Sequence, residues 1–362
     1  MRRLRVVEAR GGDAFVDTLR RAWDAGDAVL PLDPRLPPPA RRTVLAAARP
    51  HEPVEEGDAL VVATSGTTGE PKAVVLTHQA VAASARATSA RLGVDPTVDR
   101  WLACLPLAHV GGLAVVTRAL LGGTPLTVHD GFDAGAVEAA ARTGGATLVA
   151  LVPTALRRVD ASLFRTVVLG GTAMPAGLPP NAVTTYGMTE TGSGVVYDGE
   201  PLDGVEVRVT GGQVHLRGPM LLRGYRDGTD PRDGAGWLAT GDAGRWDEAT
   251  GRLHVEGRIG DVIVTGGEKV WPAAVERALA GWDAVAEVAV VGHPDPEWGQ
   301  AVVAVVVPAR PGDPPRLEEA RAVVRAALPA YAAPRRLVVV PALPRTGLGK
   351  VARRALAASL TG

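Results

Sequence analysis

The chain has 362 residues, of which 46% are hydrophobic, so it can bury a large core and divide into two unequal domains. Its 39 Lys plus Arg balance 39 Asp plus Glu, and no basic block argues for nucleic-acid binding. The longest aliphatic runs are too short to span a bilayer and acidic residues interrupt the basic beginning, so we expect no membrane span, no signal peptide and a cytoplasmic location.

The first predicted elements are two short helices over residues 14–24 and 40–48, which the proline-rich stretch 31–39 separates. A glycine- and hydroxyl-rich segment, Thr64–Lys72, then follows with the sequence TSGTTGEPK. Hydroxyls and glycine N–H groups can wrap a polyphosphate, and a lysine adds a compact positive charge. The spacing of its glycines is not that of a Walker A loop.

Hydrophobic runs flank this segment at residues 59–63 and 73–76. The pattern predicts a strand–loop–strand unit that handles nucleotide phosphates. A surface turn rich in glycine and threonine is the alternative interpretation.

The middle of the chain alternates predicted helices with short aliphatic strands, which indicates an α/β fold. The helices are 79–92 and 133–143, and the strands include 147–152 and 166–169. From residue 202 the pattern changes to closely spaced short strands, at 205–209, 213–217 and 253–256, as in a small β-rich subdomain.

The last part of the chain predicts a separate α+β lid. Its strands are expected at 262–264, 285–291, 301–307 and 337–340, and its helices at 273–280 and 317–328. The chain contains three lysines, Lys72, Lys269 and Lys350, and all of them lie in glycine-rich motifs. We interpret Lys72 and Lys350 as functional cations, whereas for Lys269 chance placement is an equal alternative.

Taken together, five segments resemble the adenylate-forming superfamily of acyl-CoA synthetases, peptide-synthetase adenylation domains and luciferases. They are TSGTTGEPKAVVLTH (64–78), YGMTETG (186–192), TGD (240–242), GRIGDVIVTGGEKVWP (257–272) and PRTGLGK (344–350), in the family's order. The resemblance implies an α/β N-terminal domain over 1–259, a hinge at Gly260 and a small mobile α+β lid over 261–362. Because the phosphate loop comes early, we expect the N-terminal domain to be shortened at its start.

The resemblance also implies the chemistry: a carboxylate attacks ATP, pyrophosphate leaves, and coenzyme A then displaces AMP. The implied catalytic residues are Thr189, Glu190 as the Mg²⁺ ligand, and Lys350. The implied ATP contacts are Thr64, Ser65, Gly66, Thr67, Thr68, Gly69, Lys72, Gly170, Gly171, Thr172, Tyr186, Gly187, Thr189, Asp242, Arg258 and Lys350. Among them Tyr186 would stack on adenine, and Asp242 would accept the ribose hydroxyls.

The same resemblance assigns the acyl substrate to His109, Gly170, Gly187 and Met188, and coenzyme A to Gly266, Gly267 and Lys269. The family swings its lid about the hinge so that the coenzyme A loop replaces Lys350 between the two half-reactions. Glycine at position 260 would lower the torsional cost of that rotation.

Within the superfamily the chain is most similar to the o-succinylbenzoate-CoA ligases of menaquinone biosynthesis, especially the abbreviated actinobacterial type. The segment LVPTALRR (151–158), His109 and the short chain carry this resemblance. Such a substrate has a second carboxylate, which needs a cationic or hydrogen-bonding partner that the sequence does not identify. The alternatives are another aryl- or fatty-acyl-CoA ligase, an adenylation domain that loads a carrier protein, and a non-catalytic nucleotide-binding regulator. A homo-oligomer is possible.

Overall fold

A computed structural model describes residues 2–65, 71–171, 177–310, 312–346 and 351–360. The helices are α1 (Asp13–Asp24), α2 (Pro38–Ala48), α3 (His78–Arg91), α4 (Val110–Gly122), α5 (Ala134–Arg142), α6 (Pro153–Leu156), α7 (Pro272–Ala280), α8 (Leu317–Ala327) and α9 (Arg353–Ser359). Short 3₁₀ turns lie at Ala161–Leu163, Thr189–Thr191, Ile259–Asp261 and Ala330–Ala332. In the described part of the chain, no helix is long and apolar enough to cross a membrane.

The strands of the first half are β1 (Leu4–Glu8), β2 (Ala28–Leu32), β3 (Asp58–Ser65), β4 (Pro71–Thr77), β5 (Trp101–Ala103), β6 (Leu126–Val128), β7 (Leu148–Leu151), β8 (Thr166–Leu169), β9 (Ala182–Gly187), β10 (Gly194–Tyr197) and β11 (Glu200–Pro201). Those of the second half are β12 (Glu206–Thr210), β13 (Gln213–Arg217), β14 (Gly224–Tyr225), β15 (Leu238–Trp246), β16 (Leu253–Arg258), β17 (Ile263–Thr265), β18 (Glu268–Val270), β19 (Val285–Asp295), β20 (Gly299–Pro308) and β21 (Arg336–Val339).

Two mixed sheets form the large N-terminal part. One has the strand order β1-β2-β3-β4-β14, and the other has the order β11-β10-β9-β8-β7-β5-β6. In the second sheet β5 to β9 run parallel, and β10 pairs antiparallel with β9. Trp101 of β5 and Tyr197 of β10 are fully buried in the core, which α3 and α4 help to cover.

The remaining strands form two smaller sheets. An antiparallel sheet with the order β12-β13-β15-β16 corresponds to the predicted β-rich subdomain. The C-terminal sheet has the order β18-β17-β20-β19, with β21 on β20, and packs with α7 and α8 around its own core of Ile263, Val275, Leu279, Val302 and Val324. The predicted architecture, a large α/β part followed by a small α+β unit, is therefore confirmed.

The sequence-based boundaries agree with these elements to within a few residues, but several elements were not predicted, among them β1, β2, α4 and α9. Strand β2 contains Pro31, which suggested a break; the pairing of β2 with β3 runs through Val29 and Leu60, so Pro31 lies beyond that ladder. The shortened start nevertheless supplies two strands, β1 and β2. Helix α4 is buried on every side from Gly112 to Ala119, so it has no amphipathic period to detect. Helix α9 follows the last motif.

Candidate active site

Strand ends bring Tyr186, Asp242 and Arg258 together. Strands β15 and β16 place Asp242 directly opposite Arg258, and β9 ends beside them with Tyr186. The Tyr186 hydroxyl donates to Asp242 Oδ2 at 2.7 Å, and Arg258 Nε lies 3.0 Å from Asp242 Oδ1. Arg258 Nη1 also donates to the Thr240 carbonyl at 2.7 Å. Three residues assigned to nucleotide binding thus form one hydrogen-bonded group.

The electrostatics of this group follow from burial. The Asp242 side chain is 9% exposed, and desolvation raises its pKa although Arg258 opposes the shift. Burial also raises the pKa of Tyr186, and the adjacent Asp242 carboxylate adds to the effect, so the phenol remains a donor. A carboxylate has about four lone-pair positions, so two bound donors leave Asp242 capacity to accept the hydroxyls of a sugar.

A second group contains Glu190, Tyr225 and Lys72. Glu190 lies in the 3₁₀ turn Thr189–Thr191, directly after β9. The Tyr225 hydroxyl donates to Glu190 Oε1 at 3.0 Å, and Lys72 Nζ lies 4.6 Å from the centroid of the Tyr225 ring. Thr189, in the same turn, is half-buried. The sequence analysis missed Tyr225, because its dipeptide strand carries no motif of its own.

The donors present fit a magnesium ion held mainly by substrate phosphates. In the described residues, no cluster of three or more His, Cys, Asp or Glu side chains could hold a metal ion by itself. Mg²⁺ commonly binds one or two carboxylates together with phosphate oxygens and waters. Glu190 supplies one carboxylate, and no hydrogen bond from the described residues occupies its Oε2.

The ends of the phosphate segment are paired with each other. Thr64 lies opposite Lys72 in the β3–β4 hairpin, and Ser65 lies opposite Pro71. Between them along the chain, Gly66, Thr67, Thr68 and Gly69 lie outside the described residues, as do Thr172 and Lys350. Both strands of the predicted strand–loop–strand unit are present, and β4 places Lys72 over the ring of Tyr225.

Glycines allow the strand ends to approach each other closely. A Cβ atom on Gly187 would lie 2.2 Å from the Ser193 carbonyl oxygen, and one on Gly170 would lie 2.8 Å from Thr185 Oγ1. Gly171 has a φ of +90°, which other residues rarely adopt. Met188 is half-buried and packs against the main core. Packing alone therefore requires glycine at positions 170 and 187, whether or not the acyl group contacts them.

His109 immediately precedes α4, and Arg118 lies farther along that helix. Arg118 is 4% exposed; its Nη2 donates to Ser193 Oγ at 2.8 Å, and its guanidinium carbon lies 5.0 Å from the centroid of the Trp101 ring. Arg118 Nε and Nη1 have no hydrogen-bond partner among the described residues. Burial lowers the pKa of Arg118, and the neighbouring Tyr197 hydroxyl opposes this shift.

Arg118 was not predicted as a site residue from the sequence, although one feature of the sequence could have pointed to it. It is the single charged residue of α4, whose other residues are apolar, glycine or threonine. Thr117 and Gly192, the residues before Arg118 and Ser193, line one small cavity between α3 and α4. Arg118 is thereby placed next to the turn that carries Glu190.

The C-terminal unit carries the residues assigned to coenzyme A and to the hinge. Gly266 and Gly267 form the turn between β17 and β18 with φ of +59° and +85°, and Lys269 is exposed on β18. Gly260 lies in the 3₁₀ turn Ile259–Asp261, and a Cβ atom there would meet open space. None of these residues belongs to the elements that carry Asp242 and Glu190.

Comparison with known families gives two matches. The family described as AMP-binding enzyme matches residues 22–226, and the AMP-binding enzyme C-terminal domain matches residues 274–350.

Similar proteins span nearly the whole chain. A probable 2-succinylbenzoate–CoA ligase of Mycobacterium tuberculosis (strain H37Rv) is 38% identical in an alignment that covers 100% of this chain and 99% of that protein. The o-succinylbenzoate CoA synthetase of Bacillus subtilis, in complex with its acyl-adenylate intermediate, has a TM-score of 0.86 at 26% identity and covers 98% of this chain and 88% of its own. The same synthetase in complex with ATP and magnesium has a TM-score of 0.85 at 26% identity. That match covers 98% of this chain and 90% of the synthetase.

Proposed function

The chain belongs to the family of AMP-binding enzymes, and from this premise we propose that it is an ATP-dependent ligase that joins 2-succinylbenzoate to coenzyme A. In the first step a substrate carboxylate attacks the α-phosphorus of ATP, which forms an acyl adenylate and releases pyrophosphate. In the second step the thiol of coenzyme A attacks the acyl carbon and AMP leaves. The product would be a thioester used in menaquinone biosynthesis.

The observation that carries the choice of acid is the buried guanidinium of Arg118. A charge buried without a partner costs several kcal/mol, and a protein retains one where a ligand can compensate it. In the described residues Arg118 forms no ion pair with a carboxylate, and its Nε and Nη1 have no hydrogen-bond partner. A dicarboxylate can use one carboxylate for the reaction and pair the other with Arg118, whereas a simple fatty acid would leave the guanidinium unpaired. The similarity to 2-succinylbenzoate ligases supports the same choice.

For the first half-reaction we assign roles to the residues of the two hydrogen-bonded groups. Asp242 and Arg258 would orient the ribose, and Tyr186 would lie against adenine while it fixes Asp242. Thr189 would donate to the α-phosphate, Lys72 would contact the outer phosphates, and Lys350 would stabilise the charge that develops on the α-phosphate. Glu190 would hold magnesium, which offsets phosphate charge when it is bound.

We further propose the domain division 1–259 and 261–362 with Gly260 as the pivot, and a site for coenzyme A at Gly266, Gly267 and Lys269. His109 and Met188 would border the acyl group, next to Gly170 and Gly187. We keep the cytoplasmic location as part of this proposal.

The function is tested by incubating the purified protein with ATP, Mg²⁺, coenzyme A and a panel of acids, with mass detection of thioesters. The panel contains 2-succinylbenzoate, its analogue 4-oxo-4-phenylbutanoate that lacks one carboxylate, benzoate and a medium-chain fatty acid. We expect the first acid to give the highest turnover and AMP as the co-product. Preference for a fatty acid or benzoate would contradict the assignment of the acid. Acyl adenylate that forms but transfers only to a carrier protein would contradict the assignment of coenzyme A.

The hinge assignment predicts a separation of the two half-reactions in Gly260→Pro. Proline fixes φ near −65° and should restrict the rotation. Adenylation, measured by pyrophosphate–ATP exchange, should survive, whereas thioester formation from supplied acyl adenylate should fail. Gly260→Ala is the matched control, because open space surrounds the new Cβ atom and the φ of Gly260 lies outside the left-handed region. Normal rates for both half-reactions in the proline variant would place the pivot elsewhere.

A further inference from the structure

Tyr225 lies between two side chains of opposite charge. Its ring centroid is 4.6 Å from Lys72 Nζ, and its hydroxyl donates to Glu190 Oε1 at 3.0 Å. No motif assigned to nucleotide binding includes this tyrosine. Its position between a cation and an anion that we assign to the same triphosphate therefore calls for a physical explanation.

Strand pairing fixes the first of these contacts. Strand β14 pairs antiparallel with β4, and Tyr225 lies opposite Val74. Lys72 is two residues from Val74 along β4, so the side chains of Lys72, Val74 and Tyr225 lie on one face of the sheet. An ammonium group about 5 Å from an aromatic centroid is within cation–π range, so the ring holds Lys72 without neutralising its charge.

The second contact belongs to a pair of hydrogen bonds that fix Glu190. The Leu222 N–H donates to the Glu190 carbonyl at 2.7 Å, and three residues later the Tyr225 hydroxyl binds the carboxylate. Leu222 is fully buried, so the segment that carries both donors is anchored in the core.

A lysine and a carboxylate that contact the same tyrosine would attract each other strongly if their charged groups came into contact. At about 4 Å and an effective dielectric constant of about 20, two unit charges attract by about 4 kcal/mol. Yet within the described residues neither Lys72 nor Glu190 takes part in a salt bridge. A direct Lys72–Glu190 pair would remove the cation from the phosphates and occupy the carboxylate that the metal needs.

We propose that Tyr225 is a positioning residue that keeps Lys72 and Glu190 from pairing with each other, so that both remain available to the magnesium–triphosphate. This inference rests on the proposed function for the identity of the ligand. It assigns the ring to Lys72 and the hydroxyl to Glu190, and the two contacts can be removed separately. Tyr225→Phe loses the hydroxyl alone, whereas Tyr225→Leu loses both contacts.

The test measures ATP affinity in EDTA by calorimetry and Mn²⁺ affinity of the ATP complex by electron paramagnetic resonance. Tyr225→Phe should leave metal-free ATP affinity within about twofold and weaken Mn²⁺ binding about three- to tenfold, the effect of one lost hydrogen bond. Tyr225→Leu should weaken both, with a loss of about tenfold in metal-free ATP affinity, because Lys72 then pairs with Glu190. Tyr331→Phe changes an exposed tyrosine and serves as the control.

The decisive variant is Tyr225→Leu combined with Glu190→Gln. If the leucine acts by allowing the ion pair, removal of the Glu190 charge should restore metal-free ATP affinity to within about threefold of the wild type. A double variant as weak as Tyr225→Leu, with melting temperatures equal in both, would overturn the proposal in favour of simple packing. The assay needs no acid, so failure to activate 2-succinylbenzoate would contradict the proposed function and leave this result unaffected.

Discussion

Replacement of Lys350 with alanine should slow adenylation about 10²- to 10⁴-fold, the range for loss of one cation or donor at phosphoryl and oxyanion sites. Negative charge develops on the α-phosphate oxygens while pyrophosphate leaves, and an ammonium group stabilises this charge more in the transition state than in the ground state. The rate of pyrophosphate–ATP exchange with 2-succinylbenzoate measures the effect. Thioester formation from supplied acyl adenylate should stay nearly normal, because coenzyme A attacks the acyl carbon in a later step, after pyrophosphate has left.

Lys269→Ala is the reciprocal control for this prediction. Lys269 is exposed on β18 in the segment assigned to coenzyme A, so its loss should slow the second half-reaction and spare the first. Equal damage to both half-reactions in Lys350→Ala would refute the role of Lys350.

Contacts of the described residues before and after Lys350 argue against a displaced backbone as the cause of such an effect. Arg353, three residues further on, donates to the Glu276 carboxylate through both Nη atoms and to the Val290 carbonyl at 2.9 Å. Arg345 pairs with Glu287 at 2.7 Å and bridges to Val351 across the segment. The described chain on both sides of Lys350 is thus fixed to α7 and β19, and truncation of one side chain leaves these contacts in place.

Arg118→Met should reduce kcat/KM for 2-succinylbenzoate about 10²-fold, because truncation of one partner in a buried charge pair costs about 2–5 kcal/mol. The same variant should use 4-oxo-4-phenylbutanoate as well as the wild type does, since that acid lacks the carboxylate that would pair with Arg118. Initial rates of thioester formation with the two acids measure the difference. Arg86→Met, at an exposed position on α3, should leave both rates unchanged.

A stability measurement separates this role from a structural one. In the free protein, methionine replaces an incompletely paired buried charge by an apolar side chain, so the melting temperature of Arg118→Met should be unchanged or higher. A structural role for the hydrogen bond to Ser193 predicts a lower melting temperature and equal losses with both acids. That outcome would remove the main support for a dicarboxylate substrate.

The sequence predicted those parts of the fold whose local pattern and tertiary environment agree. Helix α1 is amphipathic, with Phe15, Val16 and Leu19 buried, and its predicted range differs from the observed range by one residue. The predicted strand 166–169 coincides with β8, a fully buried run bounded by polar residues and glycine. Helix α4 and strand β2 were not predicted. A helix that is buried on all sides has no amphipathic period, and a proline inside a strand interrupts the pattern of β-forming residues.

The composition of its segment pointed to Lys72, and the resemblance of their motifs to the adenylate-forming superfamily pointed to Glu190, Asp242 and Arg258. Tyr225 and Arg118 lie in no such segment or motif. Tyr225 reaches the site through the pairing of β14 with β4, across about 150 residues of sequence separation, as its register with Val74 shows. In the sequence Arg118 looks like any other helix residue. Its importance comes from burial, which removes it from water and leaves two of its N–H groups unpaired.

The sequence by itself therefore indicated a phosphate-binding segment, since glycine, hydroxyl and lysine residues at fixed spacing are local requirements of phosphate chemistry. Through the resemblance of its motifs to the adenylate-forming superfamily it also indicated the reaction type, the two-part architecture and most of the nucleotide-binding candidates. Only the tertiary structure showed that Arg118 is a buried cation with unpaired N–H groups and that Tyr225 contacts both Lys72 and Glu190. These depend on desolvation and on strand register, which arise when segments distant along the chain pack together.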